Sequence, residues 1–234
     1  MKKSIKNNTF SANPLDRAGN LRRNNSWIKS KASSKDAKFL PFFQLNPAIK
    51  HNNDRIELAW FKRDKAKNFG LNLDNSIFLG LDHHNNPLFA FPTKIRLKIG
   101  EINKKNIFFD ELRDIASLIS NENASILAQA RSMINWNQQN SFCSNCGSVT
   151  KMKEGGYVRI CSKKKCQIDH FPRTDPVVIM LVYYKDFCLL GRQKYFPKNL
   201  FSVLAGFMEP GESIEEAVAR EVFEETSIKV KNVQ

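Results

Sequence analysis

The sequence lacks a long hydrophobic run, so it predicts no membrane-spanning helix. No apolar stretch in its 234 residues approaches the ~20 residues that such a helix needs. The lysines of its opening stretch, MKKSIKNNTF, are not followed by an apolar segment, as a secretory signal peptide would require. We therefore expect a cytoplasmic protein. A mitochondrial transit peptide is the alternative, because residues 1–50 hold eleven Lys or Arg and only Asp16 and Asp36 as acids, but this segment is rich in Asn rather than in Arg and Ser.

Negative charge is also scarce. The chain has 23 Asp and Glu against 37 Lys and Arg, which gives a net charge of +14 and a pI near 9.6. Summed positive charge attracts phosphates and speeds their encounter, so the composition favours an anionic partner, either nucleic acid or nucleotide. The alternative is that Lys and Asn are only the preferred surface residues of this protein.

Internal repeats are absent as well, and local composition divides the chain into four parts. Residues 1–38 are rich in Ser, Asn and Lys and are predicted to form a loosely ordered basic lead-in. Residues 39–138 contain short apolar runs between turn residues, then two helical patterns separated by SNEN, which predicts a β-rich domain followed by two helices. Residues 139–172 hold most of the cysteines, and residues 173–234 follow. Together these patterns predict an α+β protein.

Cysteine is rare, and four of the five cysteines lie within 24 positions. Cys143 and Cys146 form one close pair, and Cys161 and Cys166 form another behind a Gly-Gly turn. Two such pairs on a hairpin bring four thiolates to one tetrahedral Zn²⁺. The spacing therefore predicts a zinc ribbon with a closed, structural site, although the second loop is wider than the usual two residues.

Other readings of these cysteines are weaker. Two disulfides are disfavoured in a cytosolic protein, and a redox pair leaves the second half of the cluster without a role. The fifth cysteine, Cys188, lies in an apolar run and is predicted to be a buried small residue. Because zinc ribbons often bind nucleic acid, a nucleic-acid-binding module is a second functional hypothesis.

Acidic residues concentrate in GFMEPGESIEEAVAREVFEETSI, residues 206–228, which hold seven of the 23 acids. Three apolar runs before this segment predict strands that are covered on both faces. A glycine-containing loop and a helix follow, with Ser213 and Glu216 as a capping box. On that helix Glu221, Glu224 and Glu225 fall on one side, next to a buried side with Val222.

Such a cluster of carboxylates is unfavourable without a counter-charge. Like charges at these spacings repel, and acids in the last turn oppose the helix dipole by about 0.3–1 kcal/mol. Hard oxygen ligands suit Mg²⁺ or Mn²⁺, which would cancel the repulsion and accept the oxygens of a diphosphate. The alternative is a solvated acidic helix face, which the preceding strand, glycine loop and capped helix make less attractive.

This segment resembles the box of the Nudix hydrolases. The box is G, five residues, E, seven residues, then R-E-apolar-x-E-E-x-G-apolar, and only Ser227 departs from it, in place of Gly. Ser at this helix exit is expected to add strain of roughly 1 kcal/mol. The matching residues are Gly206, Glu212, Arg220, Glu221, Val222, Glu224, Glu225 and Ile228.

A zinc ribbon directly before the box narrows the resemblance to the NADH pyrophosphatase subgroup. It implies an N-terminal domain of that subgroup at 39–138, the ribbon at 139–172, and at 173–234 the N-terminal part of an α/β/α Nudix sandwich with a mixed sheet. The implied reaction is hydrolysis of NADH or NAD⁺ to nicotinamide mononucleotide and AMP, and removal of NAD caps from RNA. A homodimer is also implied.

Site roles follow from the same resemblance. Glu221, Glu224 and Glu225 would be catalytic and would hold Mg²⁺ or Mn²⁺ together with the Ala205 carbonyl. Phe171 and Phe207 fall where the family packs aromatic groups near the dinucleotide, with a role as core residues as the alternative. The four clustered cysteines, Cys143, Cys146, Cys161 and Cys166, would hold the structural zinc ion.

The resemblance stops shortly after the box. Only six residues follow Ile228, and the family's further sheet and a downstream tract are expected beyond that point. We therefore expect a fragment, a shortened reading frame or a protein that has lost activity. This leaves three hypotheses, namely an NAD(H) diphosphatase, a nucleic-acid-binding protein with a vestigial box, and an inert truncation product.

Overall fold

A computed structural model describes residues 8–52, 55–95 and 106–234. The chain divides into two compact units, residues 1–172 and residues 173–234. None of the helices in the described ranges is long and apolar enough to cross a membrane.

The first unit is built on a six-stranded mixed sheet. Its strands are β1 Lys38–Phe43, β2 Asn46–Asn52, β3 Arg55–Leu58, β4 Ile77–Leu81, β5 Pro87–Thr93 and β6 Ile107–Phe109. The order is β3-β2-β1-β5-β4, and β6 pairs with β2. Strands β1 and β5 run parallel and the other pairs are antiparallel. The predicted β-rich N-terminal region is therefore confirmed, within an α+β fold.

The centre of this sheet is the most buried part of the protein. Strands β1 and β5 read KFLPFF and PLFAFPT, and almost all their side chains are buried. Phe39 stacks on Phe89 across the two strands, with ring centroids 5.2 Å apart. Near-continuous apolar strands require cover on both faces, and the neighbouring helices, together with residues of the predicted lead-in, supply part of it.

Four helices of the described residues accompany this sheet. They are α1 Asn25–Ser33, α2 Arg63–Lys67, α3 Leu112–Ile115 and α4 Asn121–Gln139. The Ser120 side chain caps α4 by accepting a hydrogen bond from the Asn123 amide. Its buried residues recur at helical spacing, with Leu127 and Ile134 almost fully enclosed. The prediction of two helices is therefore confirmed, but the break lies at residues 116–120, and the last three residues of SNEN begin α4.

The described part of the lead-in is more ordered than the sequence predicts. Residues 25–33 form α1, capped by Asn24, and Leu15 and Ala18 are buried in the main core. Asp16 also pairs with Leu81 through two backbone hydrogen bonds of 3.0 and 2.8 Å. A polar stretch with a few apolar residues shows no helical or strand periodicity, so only contact with the sheet reveals its order.

The cysteine-containing segment folds as a small three-stranded sheet in the same unit. Its strands are β7 Thr150–Lys153, β8 Val158–Cys161 and β9 Asp169–His170. The hairpin turn between β7 and β8 lies against β4. A Cβ on Gly156 would come within 2.6 Å of Ile77 Cδ1, and Gly156 also has a φ of +100°. Glycine is thus required by both the turn and the close approach.

The second unit is small. Its strands are β10 Val177–Met180, β11 Tyr183–Tyr184, β12 Phe187–Cys188 and β13 Leu204–Phe207, and its helix is α5 Ile214–Thr226. Strands β10 and β13 pair antiparallel, with Val178 opposite Gly206. Its core is formed by Val178, Met180, Leu204, Ala217, Val218 and Val222.

Two predictions for this unit are wrong. The strands are not covered on both faces, since residues of β10 alternate between exposed and buried, with Ile179 70% exposed. Within the unit a single helix packs on β10 and β13, so only one face is covered. Cys188, predicted to be buried, is exposed in the short hairpin strand β12.

Candidate metal centres and active site

The four clustered cysteines converge on one point. Their sulfur atoms all lie within 4.8 Å of one another. The Sγ–Sγ distances are 3.8 Å for Cys143 and Cys166 and 3.5 Å for Cys146 and Cys161. A tetrahedral Zn²⁺ with Zn–S bonds of ~2.3 Å places its sulfurs ~3.8 Å apart. Cys166 therefore joins the cluster despite the wider loop before it.

Backbone turns position these sulfurs. In the first turn the Cys143 amide donates to the Ser148 carbonyl at 2.8 Å, and the Gly147 amide donates to the Cys143 carbonyl at 2.9 Å. Gly147 has a φ of +70°, which favours glycine. In the second turn the Cys166 amide donates to the Lys163 carbonyl at 2.9 Å. Local backbone structure thus assembles the site.

The electrostatics of the cluster fit a cation. Hydrogen bonds from Ser148 lower the pKa of Cys146 to about 6, whereas burial raises the pKa of Cys161 to about 12. Four thiolates so close together need a positive ion, because each charge disfavours ionisation of the next. The donor set and its geometry therefore fit a structural zinc ion with no open position.

The glutamate helix of the second unit is set up by its own termini. Ser213 accepts a hydrogen bond from the Glu216 amide, and the Glu216 carboxylate accepts one from the Ser213 amide, so the predicted capping box is confirmed. At the other end Ser227 adopts a left-handed conformation, with φ +62° and ψ +13°. The expected strain at this position follows, since a β-carbon disfavours that region.

Arg220 organises the acidic residues around this helix. Its Nε and Nη2 donate to the two carboxylate oxygens of Glu212, at 2.6 and 2.9 Å. Its Nη1 donates to Glu221 at 2.9 Å and to Glu224 at 3.1 Å, and Nη2 also donates to the Phe207 carbonyl at 2.9 Å. These bonds use all five N–H donors of the guanidinium. Arg220 thereby ties the loop before the helix to the helix itself.

The contact between Arg220 and Glu212 shifts the pKa values of the two groups in opposite directions. The Arg220 guanidinium lowers the pKa of Glu212 to about 2, and Glu212 raises the pKa of Arg220 in return. Both groups therefore stay charged across the whole physiological range. The bidentate geometry adds direction to the attraction.

Gly206 allows one of these carboxylates to approach the sheet. A Cβ on Gly206 would overlap the carboxylate of Glu221. Glu221 therefore lies directly over the backbone of β13, and its side chain is only 15% exposed. The first glycine of the Nudix-like box is thus required by a side chain that contacts it from the helix.

The remaining predicted site residues are distributed as follows. Glu224 is 57% exposed and Glu225 is exposed, and the three glutamates do not bring their oxygens together as the cysteines bring their sulfurs. Ala205 lies in β13 opposite Ile179. The sequence identified Arg220 as a box residue and missed its role as the common partner of the acids, for which its single positive charge among seven acids was the available signal.

Both predicted aromatic residues are on the surface. Phe171, in the first unit, is 61% exposed, and Phe207, at the end of β13, is 63% exposed. The alternative role as core residues is therefore wrong for both. Large exposed rings are suited to stacking on a planar ligand.

Family models match the chain from residue 36 to its last residue in three consecutive segments. Residues 36–136 match the NADH pyrophosphatase-like rudimentary NUDIX domain. Residues 138–171 match the NADH pyrophosphatase zinc ribbon domain, and residues 173–234 match the NUDIX domain. The cysteine cluster lies in the second segment and the glutamate helix in the third.

Several characterised proteins are similar to this chain. The NAD-capped RNA hydrolase NUDT12 of Homo sapiens is 34% identical over 271 residues, covering 97% of this chain and 57% of that protein. The NAD-capped RNA hydrolase of Schizosaccharomyces pombe is 30% identical over 272 residues, covering 96% of this chain and 71% of that protein. The mitochondrial NAD(P)H pyrophosphatase NUDT13 of Mus musculus is 41% identical over 126 residues, covering 54% of this chain and 35% of that protein.

The chain spans a little more than half the length of the human relative. Its match to the fission yeast protein, at 30% identity, extends over more than two thirds of that protein. Together with the three family models in the same order, this establishes that the chain belongs to the Nudix hydrolase family, in the subgroup of zinc-ribbon-containing NADH pyrophosphatases.

Proposed function

We propose that the chain hydrolyses the diphosphate bond of NADH or NAD⁺ to nicotinamide mononucleotide and AMP, and that it acts on the same bond in the NAD cap of RNA. The names of the human and fission yeast relatives, which are NAD-capped RNA hydrolases, support this proposal. The observation that carries it is the strand, loop and helix on which Arg220 holds Glu212, Glu221 and Glu224.

The carboxylates of this helix are the proposed ligands of the divalent ions. Glu221, Glu224 and Glu225, with the Ala205 carbonyl, offer hard oxygen donors of the kind that Mg²⁺ and Mn²⁺ prefer. Such ions, when bound, would neutralise charge on the diphosphate and polarise its phosphorus–oxygen bonds. We propose Mg²⁺ or Mn²⁺ here and a structural Zn²⁺ in the cysteine cluster.

Residues of the chain itself would orient the carboxylates and accept the proton of the attacking water. Arg220 donates to both Glu221 and Glu224 through its Nη1 atom, so their carboxylates are held in one orientation. One of the box glutamates takes the proton of the attacking water as the new oxygen–phosphorus bond forms, while the anhydride bond breaks and its oxygen leaves with the other phosphate. Phe207, in the second unit, is a proposed stacking surface for a ring of the dinucleotide. Phe171, in the first unit, is proposed for such a role separately, on the family resemblance.

The test is a direct assay of product. Purified chain is incubated with NADH and either Mg²⁺ or Mn²⁺, and AMP is quantified by chromatography, with an active relative alongside. Glu224→Gln and Glu225→Gln should each lower kcat at least about 100-fold, because each removes charge that the transition state requires. Glu215→Gln, an exposed residue on the same helix, is the matched control and should retain full activity.

Two results would contradict the proposal. One is the absence of AMP from the unaltered, folded chain while the relative is active. The other is equal activity in the Glu224→Gln and Glu225→Gln variants and the Glu215→Gln control.

A second candidate function is supported by the zinc-ribbon segment. Lys163, Lys164 and Lys165 form the loop between its last two cysteines and are all exposed. None of the three forms an ion pair with a described residue. Unpaired cations at a loop tip are suited to phosphate contacts, and such binding weakens with salt.

RNA binding through this loop has a separate test. Fluorescence anisotropy with a short labelled RNA should give salt-sensitive binding that is unchanged by Glu224→Gln and weakened by replacing the three lysines with Gln. Binding that depends on Glu224 instead, or no binding at low salt, would remove this candidate.

Location and assembly are separate proposals. We propose a homodimer, as the family resemblance implies, and a cytoplasmic location, because residues 1–50 are rich in Asn rather than in the Arg and Ser of a mitochondrial transit peptide. Light scattering after gel filtration measures the mass in solution, and cell fractionation with an antibody to the chain measures the location. A monomer at micromolar concentration, or recovery with mitochondria, would contradict the respective part.

A further inference from the structure

The first unit contains a cavity that neither the cysteine cluster nor the glutamate helix accounts for. It has a volume of about 530 Å³, within the range of about 300–1,000 Å³ that small-molecule sites occupy. It lies where the end of β5, the C-terminal half of α4 and the β7–β8 hairpin meet. All of its described lining residues fall between positions 70 and 159, within the first unit.

The charge on its walls has one sign. Among the described residues, Lys94 and Arg159 line the cavity and no Asp or Glu does. Neither cation forms an ion pair with any described carboxylate. Two unpaired positive charges facing one cavity attract an anion, and the attraction is stronger in a concave site than on an open surface.

Arg159 is held in place by neutral partners. Its Nε donates to Thr150 Oγ1 at 2.7 Å, its Nη2 to the Thr150 carbonyl at 3.0 Å and its Nη1 to Asn137 Oδ1 at 3.1 Å. Asn137 is itself fixed by bonds from its Nδ2 to the Met133 and Gly156 carbonyls, both within 2.9 Å. Three of the five guanidinium N–H groups are therefore used, and one on each terminal nitrogen has no partner among the residues that the structure describes.

The surroundings of Arg159 also leave its charge incompletely solvated. Burial lowers the pKa of Arg159, although the group remains charged at any physiological pH. A bound oxyanion would replace the lost hydration with charge-assisted hydrogen bonds to the two free N–H groups. The fixed fork of the guanidinium matches the spacing of phosphate oxygens.

The rest of the cavity suits the body of a nucleoside. Ile95, which is 40% exposed, and Met152 belong to an apolar part of the wall, on which a planar ring can pack. Asn75 and Gln138 lie on the lining and are exposed, and their side-chain amides make no hydrogen bond to a described residue. Side-chain amides present both a donor and an acceptor, which is the pattern that a base edge requires.

We propose that this cavity binds a nucleoside monophosphate, with its phosphate on Arg159 and Lys94 and its base between the apolar wall and the free amides. The site rests on the first unit and stands whether or not the chain is an NAD(H) diphosphatase. It gives the rudimentary domain and the ribbon a binding role of their own.

The test measures AMP binding to the zinc-loaded full chain by calorimetry, without added Mg²⁺ or Mn²⁺. Lys94→Gln and Arg159→Gln should each weaken binding about tenfold or more, the usual loss for one charge-assisted contact. Adenosine and inorganic phosphate, each lacking half of the ligand, should bind more weakly than AMP. Lys153→Gln, an exposed lysine of β7 outside the cavity, and Glu224→Gln are controls and should bind as the unaltered chain does.

Arg159 also ties the β7 strand to α4, so the folding of Arg159→Gln is checked by circular dichroism. If that variant does not fold, the proposal is tested with Lys94→Gln alone. Equal affinity of Lys94→Gln and the unaltered chain would overturn the proposal. So would AMP binding that is lost in Glu224→Gln, which would place the nucleotide at the glutamate helix, or adenosine binding as tight as that of AMP. A 5′-phosphorylated trinucleotide RNA that displaces AMP would identify an RNA end as the source of the nucleotide, and failure to displace it would identify the free nucleotide.

Discussion

The cysteine cluster and the glutamate helix are both candidate metal centres, yet they are prepared in opposite ways. The cysteine sulfurs already lie within 4.8 Å of one another, held by backbone turns. The glutamates remain apart, and Arg220 occupies the carboxylates of Glu221 and Glu224 with its own N–H groups. One centre is closed around its ligands, and the other is kept open by a counter-charge.

This difference shows how far the fold around each centre depends on a bound ion. A closed set of four thiolates is part of the structure, since the turns and the ion stabilise each other. The glutamates are the proposed ligands of ions that need open positions for a substrate, and their repulsion is offset by a side chain instead of by enclosure. Removing the ion should therefore damage the first centre's fold, whereas disturbing the second should cost activity before stability.

The largest expected effect comes from removing zinc. Apparent binding energies of structural zinc are about 10–16 kcal/mol at pH 7, so Cys161→Ser or a strong chelator should unfold the ribbon and broaden the melt of the first unit. All three tryptophans, Trp27, Trp60 and Trp136, lie in that unit, so their fluorescence reports it selectively. Cys188→Ser, an exposed cysteine outside the cluster, is the control. Identical melts for both variants would contradict a structural zinc site.

The next effect tests the open centre. Gly206→Ala places a methyl group where the Glu221 carboxylate lies, so the glutamate must move. We expect kcat to fall at least about tenfold, since misplacing a catalytic group has costs of this order or more, while the melting temperature changes little. Gly211→Ala is the control. Gly211 is a loop glycine with a positive φ and open space around it, so its variant shows what a disturbed loop backbone does to activity apart from any movement of Glu221. Full activity in Gly206→Ala would show that Glu221 needs no contact with β13.

A smaller effect is expected from acid. The pKa of Glu212 is lowered to about 2 from an ordinary 4.5, so its bond to Arg220 stabilises the folded state above the ordinary value and is lost as the pH falls from about 4.5 to about 2. Hydrogen exchange in peptides covering residues 207–226 should accelerate over that window. Glu212→Gln should remove the dependence, and an unchanged profile in that variant would assign the transition to another group.

The smallest effect concerns the exit of the glutamate helix. Ser227 is left-handed, with φ +62°, so Ser227→Gly should relieve strain and stabilise the second unit by roughly 1 kcal/mol. Ser227→Ala keeps the β-carbon and serves as the control. Slower exchange of residues 214–226 in the glycine variant alone is the expected result, and equal rates in the two variants would remove the strain argument.

Much of both centres could be predicted from sequence, for a physical reason that differs between them. The cysteine ligands and the capping box of Ser213 and Glu216 are local patterns, in which neighbouring residues determine the geometry. Arg220 is different, because its bonds to Glu212 and to the Phe207 carbonyl cross from helix to loop. No periodicity or spacing reveals such a contact before the helix is packed on its strand.

The errors have the same origin. The apolar runs after residue 173 predict strands correctly in β10 and β13, but an apolar run does not tell which of its faces will be covered. Ile179 and Cys188 are consequently exposed. In the lead-in, Leu15 and Ala18 are buried in a core shared with a sheet that begins only at Lys38.

By itself, then, the sequence determined the family, the cluster of four cysteines, the helix ends and the box of glutamates, since these depend on residue type at short spacing. The tertiary structure alone decided that Arg220 would bind three acids at once, that Glu221 would lie over Gly206, and that Lys94 and Arg159 would share a cavity without an acid. Those features depend on residues from different elements that packing brings together. Spacing along the chain does not predict such contacts.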